Sequence, residues 1–198
     1  MFKNNFDKDN YIPNMADAIH ANELLINNVE DNALNKLFTV LCPSNTCLED
    51  IIIKISTVNK LYSTNIYNIL SVAKHIFHLQ IDEKLQKGDP TLINQIANIE
   101  INDKHYNYLS FATKYCAFHQ PLLYNICDSN VQNVLLHFGQ RDKFLKFHKT
   151  QLRDYLYYCN TLHCFQNYYH LEKLNAWQLD KYLWQLGKLL ANTKLLFS

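Results

Sequence analysis

The chain has 198 residues, of which 48% are apolar and 19% charged, with only 3 glycines and 4 prolines. This composition excludes disordered and collagen-like chains and predicts one domain, or two small lobes, with a sizeable core. The net charge of +1 is spread unevenly, because residues 1–109 carry −4 and residues 141–198 carry +5. A basic C-terminal third can contact phosphate groups, and a solvated charged face is the alternative interpretation.

The opening residues, MFKNNFDKDN, lack the basic and apolar regions of an export signal. No apolar run approaches the roughly 20 residues that a membrane-spanning helix needs. We therefore expect a cytoplasmic protein without membrane contact, whose six cysteines stay reduced. The spacing of these cysteines lacks the paired C-x2-C pattern of structural zinc sites, so we expect no metal and no other cofactor.

Residues 1–45 predict an N-terminal helical extension. Two helical patterns occupy residues 15–40, the second capped by Asp31 and stopped before Pro43. The remaining chain, residues 46–198, then forms the main helical domain.

That domain begins with a pair of predicted helices. Thr46 caps the first helix, with Glu49 three residues on at the capping-box position. Ser63 or Thr64 opens the second, whose apolar residues recur at intervals of three and four and predict one buried stripe. The stripe consists of Ile66, Ile69, Leu70, Ala73, Ile76 and Phe77.

The next segments combine one helix with the single suggestion of strand. Asp89 and Pro90 start a helix, since proline is favoured in a first helical turn. Residues 99–110 alternate weakly around Asn102 and Asp103, which predicts a turn or a short hairpin.

The second half reads as helical throughout. A short helix starts at Ser110 and is broken near Pro121, and Asp128 opens the next helix, which Gly139 ends. Thr150 caps a long helix, and a final amphipathic helix follows it. The sequence therefore predicts an all-α fold of about eight or nine helices.

Residues 109–138 place a lysine and an aspartate where they can meet. Lys114 lies near the start of a short helix, the chain turns at Pro121, and Asp128 begins another helix. The helix covers only about 7.5 Å from Lys114 to its end at about 1.5 Å per residue. The connection between the two helices is long enough to bring Asp128 back beside the first turn of the helix that contains Lys114.

The same stretch resembles the core of the helix-hairpin-helix DNA glycosylases. The likeness consists of Thr113 and Lys114 entering a helix, then Pro121, a hydrophobic pair, and Asp128 before a V-x-x-V-L pattern. It implies that Asp128 matches the catalytic aspartate of that superfamily and Lys114 the lysine of its bifunctional members. The resemblance further implies a glycosylase-like fold, DNA as the partner and excision of a damaged base.

Base excision would give Asp128, Lys114 and the neighbouring aromatic residues separate roles. Asp128 would stabilise the oxocarbenium character that develops at the sugar, and a neutral Lys114 would attack C1′ and form a Schiff base. An extruded base needs a pocket, and the candidates in this stretch are Tyr115, Phe118, His119 and Tyr124. The alternative interpretation makes these four core residues and makes Asp128 a plain N-cap.

The chain as a whole resembles a group of uncharacterised bacterial proteins. They share the F-A-T-K-Y-C core and the D-K-Y-L-W-Q-L-G-K ending, here Asp180 to Lys188. This likeness covers most of residues 46–190 and implies no activity.

Two other functions stay open. Residues 109–113 lack the two glycines of the glycosylase hairpin, which favours a non-catalytic module that binds nucleic acid or protein. Its phosphate contacts, to DNA or to RNA, would come from the residues predicted to bind nucleic acid, which are Thr113, Arg141, Lys143, Lys146 and Lys149. Arg141 and His148 also have the R-x6-H spacing that resembles helical HEPN ribonucleases, in which histidine acts as acid or base.

Overall fold

The computed structural model describes residues 6–26 and 28–195. These residues form ten α-helices and a single two-stranded sheet, which confirms the prediction of a mostly helical fold. The chain divides into two compact units. The central unit is Asn27–Ile126, and the terminal unit combines Met1–Ile26 with Cys127–Ser198. The predicted division at residue 45 stays a prediction.

The secondary structure follows the chain in this order. The elements are α1 (Met15–Leu25), α2 (Val29–Lys36), a π-helix (Leu37–Leu41), α3 (Leu48–Tyr62), α4 (Ile69–Leu79), α5 (Asp82–Lys87), α6 (Thr91–Ala97), β1 (Asn98–Ile101), β2 (Lys104–Asn107), α7 (Leu109–His119), α8 (Ser129–Asp142), a 3-10 helix (Lys149–Arg153), α9 (Tyr155–Tyr168) and α10 (Ala176–Leu195). No helix in this described part is long and apolar enough to cross a membrane.

Three helices of the central unit begin at other residues than the sequence predicted. Cys47, not Thr46, is the N-cap of α3, and no side chain caps this helix. The side chain of Asn28, not Asp31, caps α2 by accepting hydrogen bonds from the next backbone N–H groups. Asn68 caps α4, not Ser63 or Thr64. The chain between α3 and α4 includes two left-handed residues, at φ 49° and 59°, so it cannot continue as a helix there.

The buried stripe of α4 is rotated from the predicted one. Ala73 and Ile76 are fully buried, and so is Val72, which the pattern had left out. Leu70 and Phe77, predicted to be buried, are 49% and 39% exposed. The helix packs against α3 and α6, and that contact selects the face centred on residues 72–76.

The predicted hairpin is confirmed. Strands β1 and β2 pair antiparallel, and the two residues between them, Asn102 and Asp103, have φ values of 51° and 58°. Positive φ at both positions is the requirement of a tight two-residue hairpin turn, and asparagine and aspartate tolerate it. Ile99 and Ile101 face inward from β1, while β2 is exposed along its length.

Helix α7 forms the centre of the central unit. Every one of its residues except Ser110 is buried, and it packs against α6 and α3. A helix buried on all sides presents no solvent face, so its polar side chains must find partners inside the protein.

The terminal unit is built on α10, which packs against both α1 and α8. At Gly187 of α10, a Cβ atom would lie 2.6 Å from the Asn130 backbone oxygen. The prediction that Gly139 ends α8 is wrong, since the helix continues to Asp142. A Cβ at Gly139 would lie 2.7 Å from the Phe147 ring, so this glycine serves close packing. Likewise Asp154, not Thr150, caps α9.

Candidate functional site

The predicted catalytic pair lies in two different units. Lys114 belongs to the central unit, is 2% exposed, and donates a hydrogen bond of 2.8 Å from Nζ to Ser110 Oγ. Its ammonium group also lies 5.7 Å from the centre of the Tyr62 ring. Asp128 belongs to the terminal unit and caps α8, where Oδ1 accepts a 2.8 Å bond from the Asn130 amide. A catalytic role for the two stays a prediction.

The predicted base-pocket residues are buried within the central unit. Tyr115, Phe118 and Tyr124 are at most 3% exposed, in the way of core residues. The Tyr124 hydroxyl donates at 3.2 Å to backbone carbonyls at positions 84 and 89. His119, at 9% exposed, is the member of this set that lines a cavity. Thr113, predicted to contact nucleic acid, is fully buried in α7.

The three predicted phosphate-binding lysines share an exposed segment of the terminal unit. We name residues 143–153 the basic segment: Lys143, Lys146, Lys149 and Arg153 are all exposed in it, and it contains no Asp or Glu. A packed base holds the segment in place, because the Phe144 and Phe147 rings contact each other and the Phe144 ring also contacts α9. A capping box between His148 and Gln151 fixes the start of its 3-10 helix.

Arg141 is engaged in contacts within the terminal unit. Its guanidinium forms two 2.6 Å hydrogen bonds with the Asp142 carboxylate and a 2.9 Å bond with the Lys8 carbonyl. The bonds to Asp142 raise the pKa of Arg141 and lower the pKa of Asp142. This arrangement ties α8 to the N-terminal segment. Whether Arg141 binds nucleic acid, or acts with His148 as in a ribonuclease, stays a prediction.

A buried lysine at the centre of the other unit was not predicted. Lys54 of α3 has no exposed surface, and its ammonium group has three hydrogen-bond acceptors around it. Nζ donates to the Ser44 carbonyl at 2.8 Å, to Asn45 Oδ1 at 2.7 Å and to His119 Nε2 at 3.2 Å. An ammonium group has three N–H bonds, so these partners match its full donor capacity.

Two pKa values in this network are displaced from their ordinary range. Burial lowers the pKa of Lys54 to about 8, although the carboxylate of Asp82 acts in the opposite direction. Burial, together with the nearby Lys54 charge, lowers the pKa of His119 to about 3. Since His119 Nε2 accepts from Lys54, the proton of the neutral ring is assigned to Nδ1.

Asn45 connects this lysine to a carboxylate. Its Oδ1 accepts from Lys54 and from the Tyr115 hydroxyl, the latter at 2.5 Å. Its backbone N–H and Nδ2 donate to the two carboxylate oxygens of Asp82, at 2.9 and 2.6 Å. One asparagine therefore joins α3, α5 and α7.

A cavity of about 240 Å³ lies beside this network, entirely within the central unit. Its lining includes Asp82, His119, Ser44 of the loop before α3, and the Phe38 ring of the π-helix. The cavity brings together a carboxylate, an imidazole, a hydroxyl and an aromatic ring. Concave sites with a few convergent polar groups and displaced pKa values are the usual places for ligand binding.

The sequence contains one signal for this network. Ile51, Ile55 and Val58 are fully buried on α3, and Lys54 lies at helical spacing within the same stripe. A lysine inside an apolar stripe indicates a buried charge. The partners of that charge come from residues 44, 45 and 119, and no spacing in the sequence relates these to α3.

Comparisons with known proteins point to one family. Residues 5–123, more than half of the chain, match the model of a family described as HI_0787_N, N-terminal domain. The chain is also 40% identical over 144 residues to an uncharacterised protein of Haemophilus influenzae, an alignment that covers 72% of this chain and 69% of the relative. No solved structure matches the chain. The matched residues include α1 and nearly all of the central unit, with Lys54, Asp82 and His119. The chain therefore belongs to the HI_0787_N N-terminal domain family.

Proposed function

We propose that this protein binds DNA through the basic segment of its terminal unit. The observation that supports the proposal is the exposure of Lys143, Lys146, Lys149 and Arg153 along eleven residues without an acidic side chain. Four of the 19 Lys and Arg residues lie in these eleven residues, although the whole chain carries a net charge of only +1. Such a concentration attracts phosphate independently of base sequence.

Phosphate contact predicts a defined response to salt. Each lysine that neutralises a phosphate of duplex DNA releases condensed counterions, and the slope of log affinity against log salt is about −0.9 per contact. Three lysine contacts therefore correspond to a slope near −3 (about −0.9 each). Removing them should flatten the slope and weaken binding to all sequences alike.

The test measures the binding of a labelled DNA duplex by fluorescence anisotropy over a salt series. A triple variant replaces Lys143, Lys146 and Lys149 with glutamine, and its slope should become less steep by about 3, with the contribution of Arg153 remaining. The matched control replaces three exposed lysines of the central unit, Lys36, Lys60 and Lys74, and should keep the wild-type slope. Equal losses in the two triple variants would show only a general charge effect and would refute the basic segment as the contact surface.

Two probes decide the kind of nucleic acid. We expect the duplex to bind more tightly than single-stranded RNA with the same number of phosphates. A clear preference for the RNA would replace DNA by RNA as the partner. Absence of binding to either at low salt would refute the proposal as a whole.

We further propose that the protein has a glycosylase-like fold and excises a damaged base from the DNA that it binds. It is supported by the resemblance of residues 109–138 to the glycosylase core and by the position of Asp128 at the first turn of α8. Asparagine also caps helices well, so Asp128→Asn preserves the cap and removes the carboxylate charge. In this variant we expect unchanged folding and DNA binding, with base release from lesion-bearing duplexes abolished. If the wild type releases no base from such a panel, the excision proposal is wrong and DNA binding alone stands.

A further inference from the structure

The cavity beside Asp82 has the dimensions of a site for a small molecule. Its volume is about 240 Å³, and a water molecule takes about 30 Å³ in the liquid, so the space equals about eight waters. It opens to solvent and is bounded by the π-helix, the loop before α3, α5 and the end of α7. A ligand of about ten non-hydrogen atoms fits such a space.

The walls of the cavity combine apolar and polar groups. Phe38, Pro43 and Leu85 supply apolar surface, and the hydroxyl of Ser44 and the amide of Gln86 supply hydrogen-bonding groups. Among the described residues that line the cavity, Asp82 carries the formal charge. A ligand therefore meets an apolar wall, several neutral polar groups and one carboxylate.

The nearby positive charge lies behind the wall of the cavity. Lys54 is fully buried and does not line the cavity, and its three donors point to Ser44, Asn45 and His119. His119 adds no positive charge, because its Nε2 lone pair is used by the lysine ammonium. An anionic ligand would therefore face the carboxylate without contacting a cation.

Asp82 retains capacity for a ligand. Its two oxygens each accept one bond from Asn45, and an ionised carboxylate has about four acceptor positions. The bonds from Asn45 also hold the carboxylate in place. We propose that this cavity binds a small organic cation, an amine or guanidine with a short apolar group, whose charge pairs with Asp82 and whose apolar part lies on Phe38 and Leu85.

Three aromatic probes of similar size and different charge test the proposal in NMR titrations of the full chain. The probes are 2-phenylethylamine, 2-phenylethanol and phenylacetate. The amine should shift the amide signals of Asp82, Gln86 and His119 and bind about tenfold more tightly than the alcohol, since a charge-assisted hydrogen bond is worth at least that factor. Phenylacetate should bind most weakly. Equal affinities for the three, preference for the anion, or no binding of the amine at millimolar concentration would overturn the proposal.

Two variants locate the effect. Asp82→Asn should reduce the affinity for the amine to that for the alcohol. Gln86→Lys places a competing ammonium group at the exposed rim and should weaken amine binding about tenfold, which keeps the test valid if the Asp82 variant fails to fold. The matched control, Asn160→Lys, adds the same charge at an exposed position of α9 and should leave amine binding unchanged. An unchanged affinity in Gln86→Lys, or an equal loss in Asn160→Lys, would refute the assignment.

Discussion

Replacing Lys54 by methionine tests the buried network through its response to pH. The pKa of Lys54 is lowered from 10.5 to about 8, so the folded state binds its proton more weakly than the unfolded chain does. Between pH 8 and 10.5 the unfolded chain holds more protons, and the free energy of unfolding therefore rises with pH. The cost of the buried charge is fully present below pH 8 and disappears above 10.5.

The pKa displacement sets the size of the effect. At about 1.4 kcal/mol per pH unit, the lowered pKa of Lys54 corresponds to a loss of about 3 kcal/mol in the free energy of unfolding. About 2–3 kcal/mol of this loss is recovered as the pH rises from 7 to 10. Methionine has similar length and no charge, so Lys54→Met removes this dependence. It also deprives the Ser44 carbonyl of a donor, which costs about 1–3 kcal/mol at every pH. The wild type should therefore gain about 2–3 kcal/mol over the variant as the pH rises from 7 to 10.

The assay is urea unfolding of both proteins at several pH values. Buried tyrosines and cysteines also titrate in this range, for example Cys116, whose pKa is raised by burial. Subtracting the free energy of unfolding of the variant from that of the wild type removes the contribution of these tyrosines and cysteines, which both proteins share. Lys60→Met, an exposed lysine on the same helix, provides the control and should give a difference that does not change with pH. A pH-independent difference for Lys54→Met, or one of opposite sign, would refute the idea of a buried ammonium group with a lowered pKa.

Three further predictions concern the His119 ring and two glycines of the terminal unit. His119, whose pKa is lowered to about 3, should remain neutral from pH 8 down to 4.5 in an NMR titration of its ring nitrogens. Because the unfolded histidine titrates near 6.5, its contribution to stability is lost as the pH falls from 6.5 toward 3; a midpoint near 6.5 in the folded protein would contradict this. Gly187→Ala should lower the free energy of unfolding by about 1–3 kcal/mol, since the new Cβ meets the Asn130 backbone. Gly139→Ala should cost less in the same urea assay, because the atom it meets belongs to the Phe147 side chain, and a reversed order would contradict the packing argument.

Local patterns predicted the elements whose structure is decided locally. The helix after Pro90 buries Leu92, Ile93 and Ile96 as its spacing indicated, and the Asn102–Asp103 turn follows from the backbone preferences of these residues. Errors arose where tertiary contacts decide the outcome. Glycine often follows the end of a helix, which is why the sequence predicts an end at Gly139. In the structure, this glycine leaves room for an aromatic ring eight residues later in the chain.

The predictions for the site differ in the same way. Exposure of the basic segment could be expected from its composition alone, because charged residues remain at the surface unless they are paired. The network around Lys54 depends on residues 65 and 74 positions apart in the chain, as in the contacts of Lys54 and Asn45 with His119. Helical periodicity carries no information on such long-range pairs. The sequence predicts His119 as a base-pocket residue because it lies near Lys114 in the chain, whereas its partners in the structure are Lys54 and Asn45.

The terminal unit is assembled from both ends of the chain, and this imposes an order on its synthesis. Helix α1 is joined to α10 by a hydrogen bond from Asn22 Nδ2 to the Gln178 carbonyl and by another from Gln185 to the Ala21 carbonyl. On the ribosome, the contiguous central unit emerges complete while α10 is still untranslated. Helix α1 therefore has to wait for more than 150 residues before its partner leaves the exit tunnel. A nascent chain stalled after the central unit would leave Ala18 and Ala21, which the terminal unit buries, exposed to solvent.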